Sequence, residues 1–261
     1  MTSDIPVHGP GIMYVLSSLS SAPGNQLTES AFNSWYIEEH MPEIIATSGM
    51  PNAFRNVHVD KSSPHGTSEC PKPFLAFYPM KDLAFTQSEA FRKIRVKSDR
   101  LPGTGVVFDM ADFDIGYYGL VSKSGEARGT PRFFATAGVA VGDEVADGDV
   151  EAGFDRQTAA VSQTENYIHS RRFKLQYSRT NAQSRALKGL VATGDGSNVE
   201  LPTWLAIHSF SAEPSSDVRK IIETESNDAL RNSKQFQIDS YRSQSVQGQG
   251  RIFDTDEDGI V

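Results

Sequence analysis

The sequence has few of the features that mark several familiar protein classes. Among 261 residues there is one cysteine, Cys70, and there is no Asn-x-Ser/Thr sequon, so a disulfide framework is excluded. No apolar run reaches the roughly 18 residues of a membrane helix, and the first residues lack the pattern of a signal peptide. Acidic residues outnumber basic ones by 33 to 25, which leaves no basic field for nucleic acid or anionic membrane. We therefore expect a cytoplasmic protein.

Motifs for metals and nucleotides are also missing. The six histidines contain no His-x-His or His-x3-His pair, and there is no Gly-x-Gly-x-x-Gly, Walker loop or Gly-x-Ser-x-Gly elbow. The Asp-x-Asp-x-Asp-Gly run at 254–259 stops before the glutamate that a calcium loop requires at its twelfth position. We expect no metal and no cofactor, and we interpret 251–261 as an acidic tail.

The chain does contain a repeated pattern of strands and helices. We predict strands at 12–18, 54–59, 74–78 and from 106 toward 120, with helices at 28–47 and 88–101. In the second half we predict strands at 133–141, 173–177, 204–208 and from 236, with helices at 150–169 and 216–232. Both halves have the order βαββαβ.

A constant offset of 130 residues relates the two halves. It pairs Phe74–Tyr78 with Trp204–His208, Phe91 with Ile221, and Phe108 with Ile238 without a gap. Chance similarity between two α+β domains is the alternative. We predict a first unit at 1–121, a linker at 122–131 and a second unit at 132–250.

Each such unit leaves one sheet face uncovered, because both of its helices lie on the other face. Residues on both faces are apolar or aromatic, as Phe74 and Tyr78 on one side and Leu75 and Phe77 on the other illustrate. We therefore predict an α+β protein in which two ferredoxin-like βαββαβ repeats pack sheet against sheet as one intramolecular barrel, with the helices outside.

The first helix carries the residues best suited to chemistry. At helical spacing one broad face presents large aromatics, an imidazole and two carboxylates, namely Phe32, Trp35, Tyr36, Glu39, His40 and Glu43. A core helix with Glu39 and His40 at its solvent-exposed edge would give the same pattern.

A specific resemblance lies in this segment. The residues that carry it are Tyr36, Glu39-His40-Met41-Pro42, Gly49 and the strand Phe54-Arg55-Asn56. Over about 30 residues, this pattern resembles EthD-like members of the dimeric α+β barrel superfamily. The resemblance implies a pocket between the sheet and the helices of the first unit, and cofactor-free chemistry on aromatic or polyketide-type substrates. The second half lacks His-Met-Pro and has Ala159 or a neighbour at that place, so it is either a structural partner or a unit with a different site.

Within that pocket we predict His40 as general acid or base, since an unperturbed imidazole pKa of about 6.5 suits both roles. Glu39 or Glu43 could orient the ring. We predict His58 and Tyr78 as catalytic partners, on condition that the strand face of Phe54, Asn56 and His58 is the helix side. The predicted substrate-binding residues are Trp35, Tyr36, Glu39, Asn56 and Phe54. A buried histidine or tyrosine with an ordinary structural hydrogen bond is the alternative for each of these partners.

Three functions remain open at this point. The leading hypothesis is a cofactor-independent lyase or cyclase of secondary metabolism, which decarboxylates, cyclises, dehydrates or isomerises a small hydrophobic or aromatic substrate. The second is a haem-binding oxidoreductase with His208 or His169 as axial ligand. The third is a non-catalytic ligand-binding or stress-response module. We expect neither nucleic acid nor membrane as partner and leave a homodimer open.

Overall fold

The protein is described here by a computed structural model that covers residues 7–126, 129–142, 144–191 and 200–253. Its strands are β1 (Gly11–Leu19), β2 (Asn52–His58), β3 (Phe74–Met80), β4 (Ala111–Ser124), β5 (Phe133–Ala140), β6 (Tyr167–Arg179), β7 (Trp204–Phe210) and β8 (Gln235–Gly248). Its α-helices are α1 (Glu29–Trp35), α2 (Met41–Ile45), α3 (Glu89–Lys93), α4 (Asp147–Val161), α5 (Asn181–Leu187), α6 (Val218–Glu225) and α7 (Asp228–Arg231).

The eight strands close into one antiparallel barrel in the order β1-β3-β2-β8-β5-β7-β6-β4. Each half contributes a four-stranded sheet of ferredoxin-like order, β4-β1-β3-β2 in the first half and β8-β5-β7-β6 in the second. The ladders β2–β8 and β4–β6 join the halves, so neither sheet keeps a free edge. The predicted tandem repeat and intramolecular α+β barrel are confirmed.

The offset between the halves is constant only in part. Ile12 pairs with Pro79 and Tyr118, and Phe134 pairs with Ser209 and Tyr241. The offset is therefore 130 between β3 and β7, as predicted, but 123 between β4 and β8. The pairing of Phe108 with Ile238 is wrong, because the segment between α3 and β4 is longer than its counterpart in the second half.

Three apolar layers hold the fold together. The barrel interior is filled by aromatic and aliphatic side chains from both halves, including Phe54, Phe77 and Phe134. On the outside, the helices of the first half pack on one face of its sheet, and the helices of the second half do the same. Both sheets are thus covered on two sides, which explains the apolar residues at successive strand positions.

Several predicted helix bounds are wrong. The helix predicted at 88–101 is only α3, because Ile94 leaves the helical conformation (ψ 124°). The helix predicted at 150–169 ends at Val161, and His169 lies on β6 instead. The helix predicted at 216–232 is divided into α6 and α7, since Asn227 caps a new helix through Leu230.

The predicted tail is partly wrong as well. Ile252 and Phe253 are buried in the barrel interior, and Arg171 donates hydrogen bonds to both of their carbonyl oxygens. The described end of the chain therefore packs inside the barrel. The acidic residues at 254–261 lie outside the described residues. Within the described ranges, none of the helices combines the length and the apolar character needed to cross a bilayer.

Candidate functional site

The helix that was predicted to carry the site contains a π-helical turn. Thr28 caps α1, with its hydroxyl accepting from the Ala31 amide at 3.2 Å. Residues Tyr36–His40 then form the π-turn, which leads directly into α2. Pro42 contributes to this irregularity because it has no amide hydrogen for an ordinary α-helical bond. Single π-turns inside α-helices frequently occur at functional sites.

The π-turn brings together side chains that an α-helix would separate. Residues five apart lie about 140° apart around an α-helix. Here the rings of Trp35 and His40 stack at 4.6 Å between centroids, with 19° between their planes. Tyr36 meets the same imidazole edge to face at 5.2 Å. His40 is therefore held between two aromatic rings on the inner side of the helix.

These rings form one wall of a cavity of about 70 Å³ between the helix and the sheet. Tyr78 on β3 and the helix-facing residues Met13 and Val15 on β1 form the floor. The remaining lining comes from the α3 region, the segment before β4, β4 itself and the second half, and it is mostly aliphatic or aromatic. Such a lining favours an uncharged, ring-shaped ligand.

His40 is neutral in this setting. The pKa of its imidazole is lowered from 6.5 to about 3, mainly by burial and to a smaller extent by the nearby charges of Lys188 and Arg55. A hydrogen bond with the backbone of Arg95 acts in the opposite direction. Nδ1 is buried and has no hydrogen-bond partner, so the bonded nitrogen is Nε2. On this basis we assign the ring hydrogen to Nε2, which leaves a lone pair on Nδ1.

The two glutamates predicted beside His40 take different places. Glu43 accepts hydrogen bonds from the backbone amide and from Nε of Arg95, both at 3.1 Å, so it fixes the residue whose backbone holds the imidazole. Glu39 points away from the cavity and binds Ser98 at 2.5 Å and Arg100 at 2.7 Å. The predicted place of Glu39 on the aromatic face is wrong, because the π-turn rotates the residues that follow Tyr36.

Below Tyr36 lies a buried arginine that the sequence pattern did not single out. The guanidinium carbon of Arg55 is 4.1 Å from the centre of the Tyr36 ring, and the rings of Phe32 and Phe74 complete an aromatic cage. The hydroxyls of Tyr36 and Tyr78 are 3.5 Å apart. Burial raises the pKa of both phenols, so both tyrosines stay protonated.

The second half supplies a further wall that was not predicted. Helix α5 begins with a capping box in which the Thr180 hydroxyl accepts from the Gln183 amide and the Gln183 side chain accepts from the Thr180 amide. The sequence Thr-x-x-Gln was the signal for this helix. Arg179, Ser184, Leu187 and Lys188 all line the His40 cavity.

Lys188 ties this wall to the first half. Its ammonium donates to the backbone carbonyl oxygens of Phe91 at 2.7 Å and Ile94 at 2.8 Å, near the end of α3. The pKa of the ammonium is lowered from 10.5 to about 8, mainly by burial and to a smaller extent by the charge of Arg179. The cavity is therefore assembled from both halves, and the second half is more than a cover for the sheet.

Comparison with known proteins agrees with this architecture. No model of a protein family matches the sequence, and no curated protein matches it. The chain is similar to the solved structure of an anthrone oxidase-like protein, at 10% identity over 94% of this chain and 96% of that one, with a TM-score of 0.51. It is also similar to a candidate monooxygenase from Fusobacterium nucleatum subsp. nucleatum, at 10% identity over 95% and 97%, with a TM-score of 0.52.

The fold is the dimeric α+β barrel. At this level of identity the likeness establishes the fold alone. The chemistry of the tandem barrel has to be argued from its own residues.

Three other predicted site residues lie inside the barrel and not at the His40 cavity. Phe54 stacks on Phe77 at 4.7 Å, and Asn56 contacts the Leu75 carbonyl at 3.4 Å. His58 is 3.2 Å from Asp239 and lines a separate barrel cavity of about 150 Å³. Their predicted convergence with His40 is wrong, because alternate residues of β2 point to opposite faces and the helix side carries Arg55 and Val57.

The histidines considered as haem ligands are also enclosed. His208 is fully buried, with its Nδ1 2.7 Å from the Ser170 hydroxyl, and His169 is buried on β6. Neither ring lines the His40 cavity, the barrel cavity or the groove of about 290 Å³ beside α4. In the part of the chain that the structure describes, no three His, Cys, Asp or Glu side chains converge as metal ligands would.

Proposed function

We propose that this protein is a cofactor-independent enzyme that removes a proton from a small aromatic or polyketide-type substrate bound in the His40 cavity. The observation that carries the proposal is that His40 lines an apolar cavity and that its buried Nδ1 has no partner within the protein. An unpartnered buried acceptor is costly, so a substrate O–H or C–H group is the expected complement.

In this mechanism the stacked wall of Trp35 and Tyr36 binds the aromatic ring, and Nδ1 accepts the proton. Because the pKa of the imidazole lies near 3, His40 is a base and not an acid at neutral pH. The positive charges of Lys188 and Arg55 that disfavour the imidazolium also stabilise the substrate anion that forms beside it. The imidazolium and the anion form in the same step, so the attraction between them offsets part of the cost of charging the buried ring.

The proposed proton transfer is common to several overall reactions. Cyclisation, dehydration and isomerisation of a polyketide-type molecule each include removal of a proton by a base, whereas decarboxylation ends in the uptake of one. The EthD-like resemblance favours a lyase or cyclase of this kind. The names of the two similar structures favour a second outcome, in which the deprotonated aromatic is oxidised by dioxygen.

Deuterium exchange tests the shared proton transfer separately from the later steps of each reaction. The purified protein is incubated in D₂O with anthrone or 2-tetralone, and NMR measures loss of the acidic methylene hydrogens. We expect catalysed exchange that His40→Gln reduces by at least about 100-fold, the scale of one general base. Glu39→Gln, on the outer side of the same helix, is the matched control and should retain the rate.

Oxygen uptake measured in the same samples separates oxidation from lyase chemistry. Exchange that survives in His40→Gln would remove His40 from the mechanism. Binding of both compounds without any exchange above the buffer rate would instead support the non-catalytic ligand-binding module.

A further inference from the structure

A second residue that lines the His40 cavity has a buried polar atom without a partner. Ser184 is 3% exposed, lies in the middle of α5 and lines the cavity. Its hydroxyl oxygen has no hydrogen-bond partner in the protein. A buried hydroxyl of this kind costs about 1–3 kcal/mol unless something bonds to it. His40 and Ser184 lie in different halves of the chain. The cavity is therefore lined by two residues, one from each half, whose hydrogen-bonding groups have no partner.

The two groups require different atoms on a ligand. Nδ1 of His40 is an acceptor, since the other ring nitrogen holds the proton, and it therefore needs a donor or an acidic hydrogen. The Ser184 hydroxyl can donate or accept. Its surroundings decide between these roles, because the Lys188 ammonium lies one turn further along the same face of α5 and Arg179 also lines the cavity. A positive field of this kind favours a ligand oxygen with negative charge.

We propose that α5 forms an oxygen-binding wall, in which Ser184 donates a hydrogen bond to the carbonyl oxygen of the substrate. This inference rests on the proposed function of the cavity and narrows it to aromatic ketones. The ketone oxygen lies at α5, and the acidic hydrogen of the same molecule lies at His40. When that hydrogen moves to Nδ1 as a proton, the electron pair it leaves passes to the ketone oxygen, which becomes an enolate or phenolate oxygen. Ser184 then stabilises the charge as an oxyanion-binding donor does.

Binding of matched probes tests the wall without requiring turnover. The chain has two tryptophans, and Trp204→Phe leaves Trp35, which stacks on His40, as the fluorescent reporter of the cavity. Three probes of similar size are titrated: 6-hydroxy-1-tetralone with both oxygen groups, 1-tetralone with the carbonyl alone, and 5,6,7,8-tetrahydro-2-naphthol with the hydroxyl alone. Each is measured with Ser184→Ala and with the control Ser162→Ala, at the C-terminal end of α4.

We expect Ser184→Ala to weaken both ketones by about 5- to 30-fold and the tetrahydronaphthol by less than about 2-fold. Ser162→Ala should change none of the three affinities. His40→Gln should give the converse pattern and weaken the two hydroxyl compounds more than 1-tetralone. Circular dichroism and thermal melting confirm that each variant is folded.

Equal effects of Ser184→Ala on all three probes, or no effect on any, would overturn the oxygen-binding wall. Such a result leaves the proposed function standing, because catalysed deuterium exchange that depends on His40 is measured separately. Quenching of Trp35 by none of the probes would overturn the assignment of ketones to this cavity.

Discussion

Mild acid should destabilise this protein through three neutral histidines, of which His169 and His208 are buried and His40 is half-buried. Burial lowers the pKa of His40 to about 3 and that of His208 to about 4, and it lowers the pKa of His169 well below its usual value. In the unfolded chain each imidazole titrates near 6.5. Between these values the unfolded state binds more protons than the folded state, so stability falls as the pH falls below about 7.

The magnitude can be worked out from the same values. Each histidine that stays neutral in the folded state costs about 2 kcal/mol of stability between pH 7.5 and pH 5, given an unfolded pKa of 6.5. The three together cost about 6 kcal/mol, which is comparable with the 5–15 kcal/mol that holds an ordinary domain folded. We therefore expect a protein that is stable at pH 7.5 and close to unfolding near pH 5.

Urea unfolding at several pH values between 7.5 and 5, monitored by circular dichroism, measures this loss. Replacing one of the three histidines by glutamine should reduce the pH dependence by about one third, whatever it does to stability at pH 7.5. Three variants with the slope of the original protein, or a free energy of unfolding that stays constant over this range, would show that these imidazoles are not buried as neutral groups.

Further predictions concern packing. Gly49→Ala should destabilise the protein by about 1–3 kcal/mol, because an added Cβ would lie 2.1 Å from the Phe85 ring. Gly148→Ala on α4 meets no atom within 4 Å and should stabilise the protein slightly, and chemical denaturation compares the two variants. Ile252→Ala should cost about 2–4 kcal/mol in the same assay, and a neutral result would place this residue outside the barrel. Arg55→Met should be at least about 2 kcal/mol more stable than Arg55→Ala, because both remove the buried charge but only methionine keeps most of the packing; equal stabilities would contradict the cage.

The barrel could be predicted from the sequence because it depends on regular features. Alternation along the strands, apolar residues on both faces and the offset between Phe74 and Trp204 each arise from secondary-structure periods. The faces of β2 could not be predicted for the same reason. When both sides of a sheet are covered, Phe54 and Arg55 are equally buried, and periodicity does not say which of them faces the helices.

The grouping of the cavity residues could be predicted where it depended on local sequence, but not where it depended on distant contacts. Trp35, Tyr36, His40 and Tyr78 do meet in one cavity. The π-turn that stacks Trp35 on His40 has no clear propensity signal beyond Pro42. The wall formed by α5 comes from a part of the chain more than 130 residues away, so only its capping box was visible in the sequence.

The protonation state of His40 tests the central claim most directly. In protein labelled with ¹⁵N at histidine, NMR reports which ring nitrogen carries hydrogen and at what pH the ring titrates. We expect the Nε2–H form of His40 at pH 7 and no protonation of Nδ1 down to about pH 4, with the Nδ1 signal shifting when 6-hydroxy-1-tetralone is added. If His40 titrates near pH 6.5 and its Nδ1 signal does not shift when the ligand is added, the account of a buried base at a substrate cavity is contradicted.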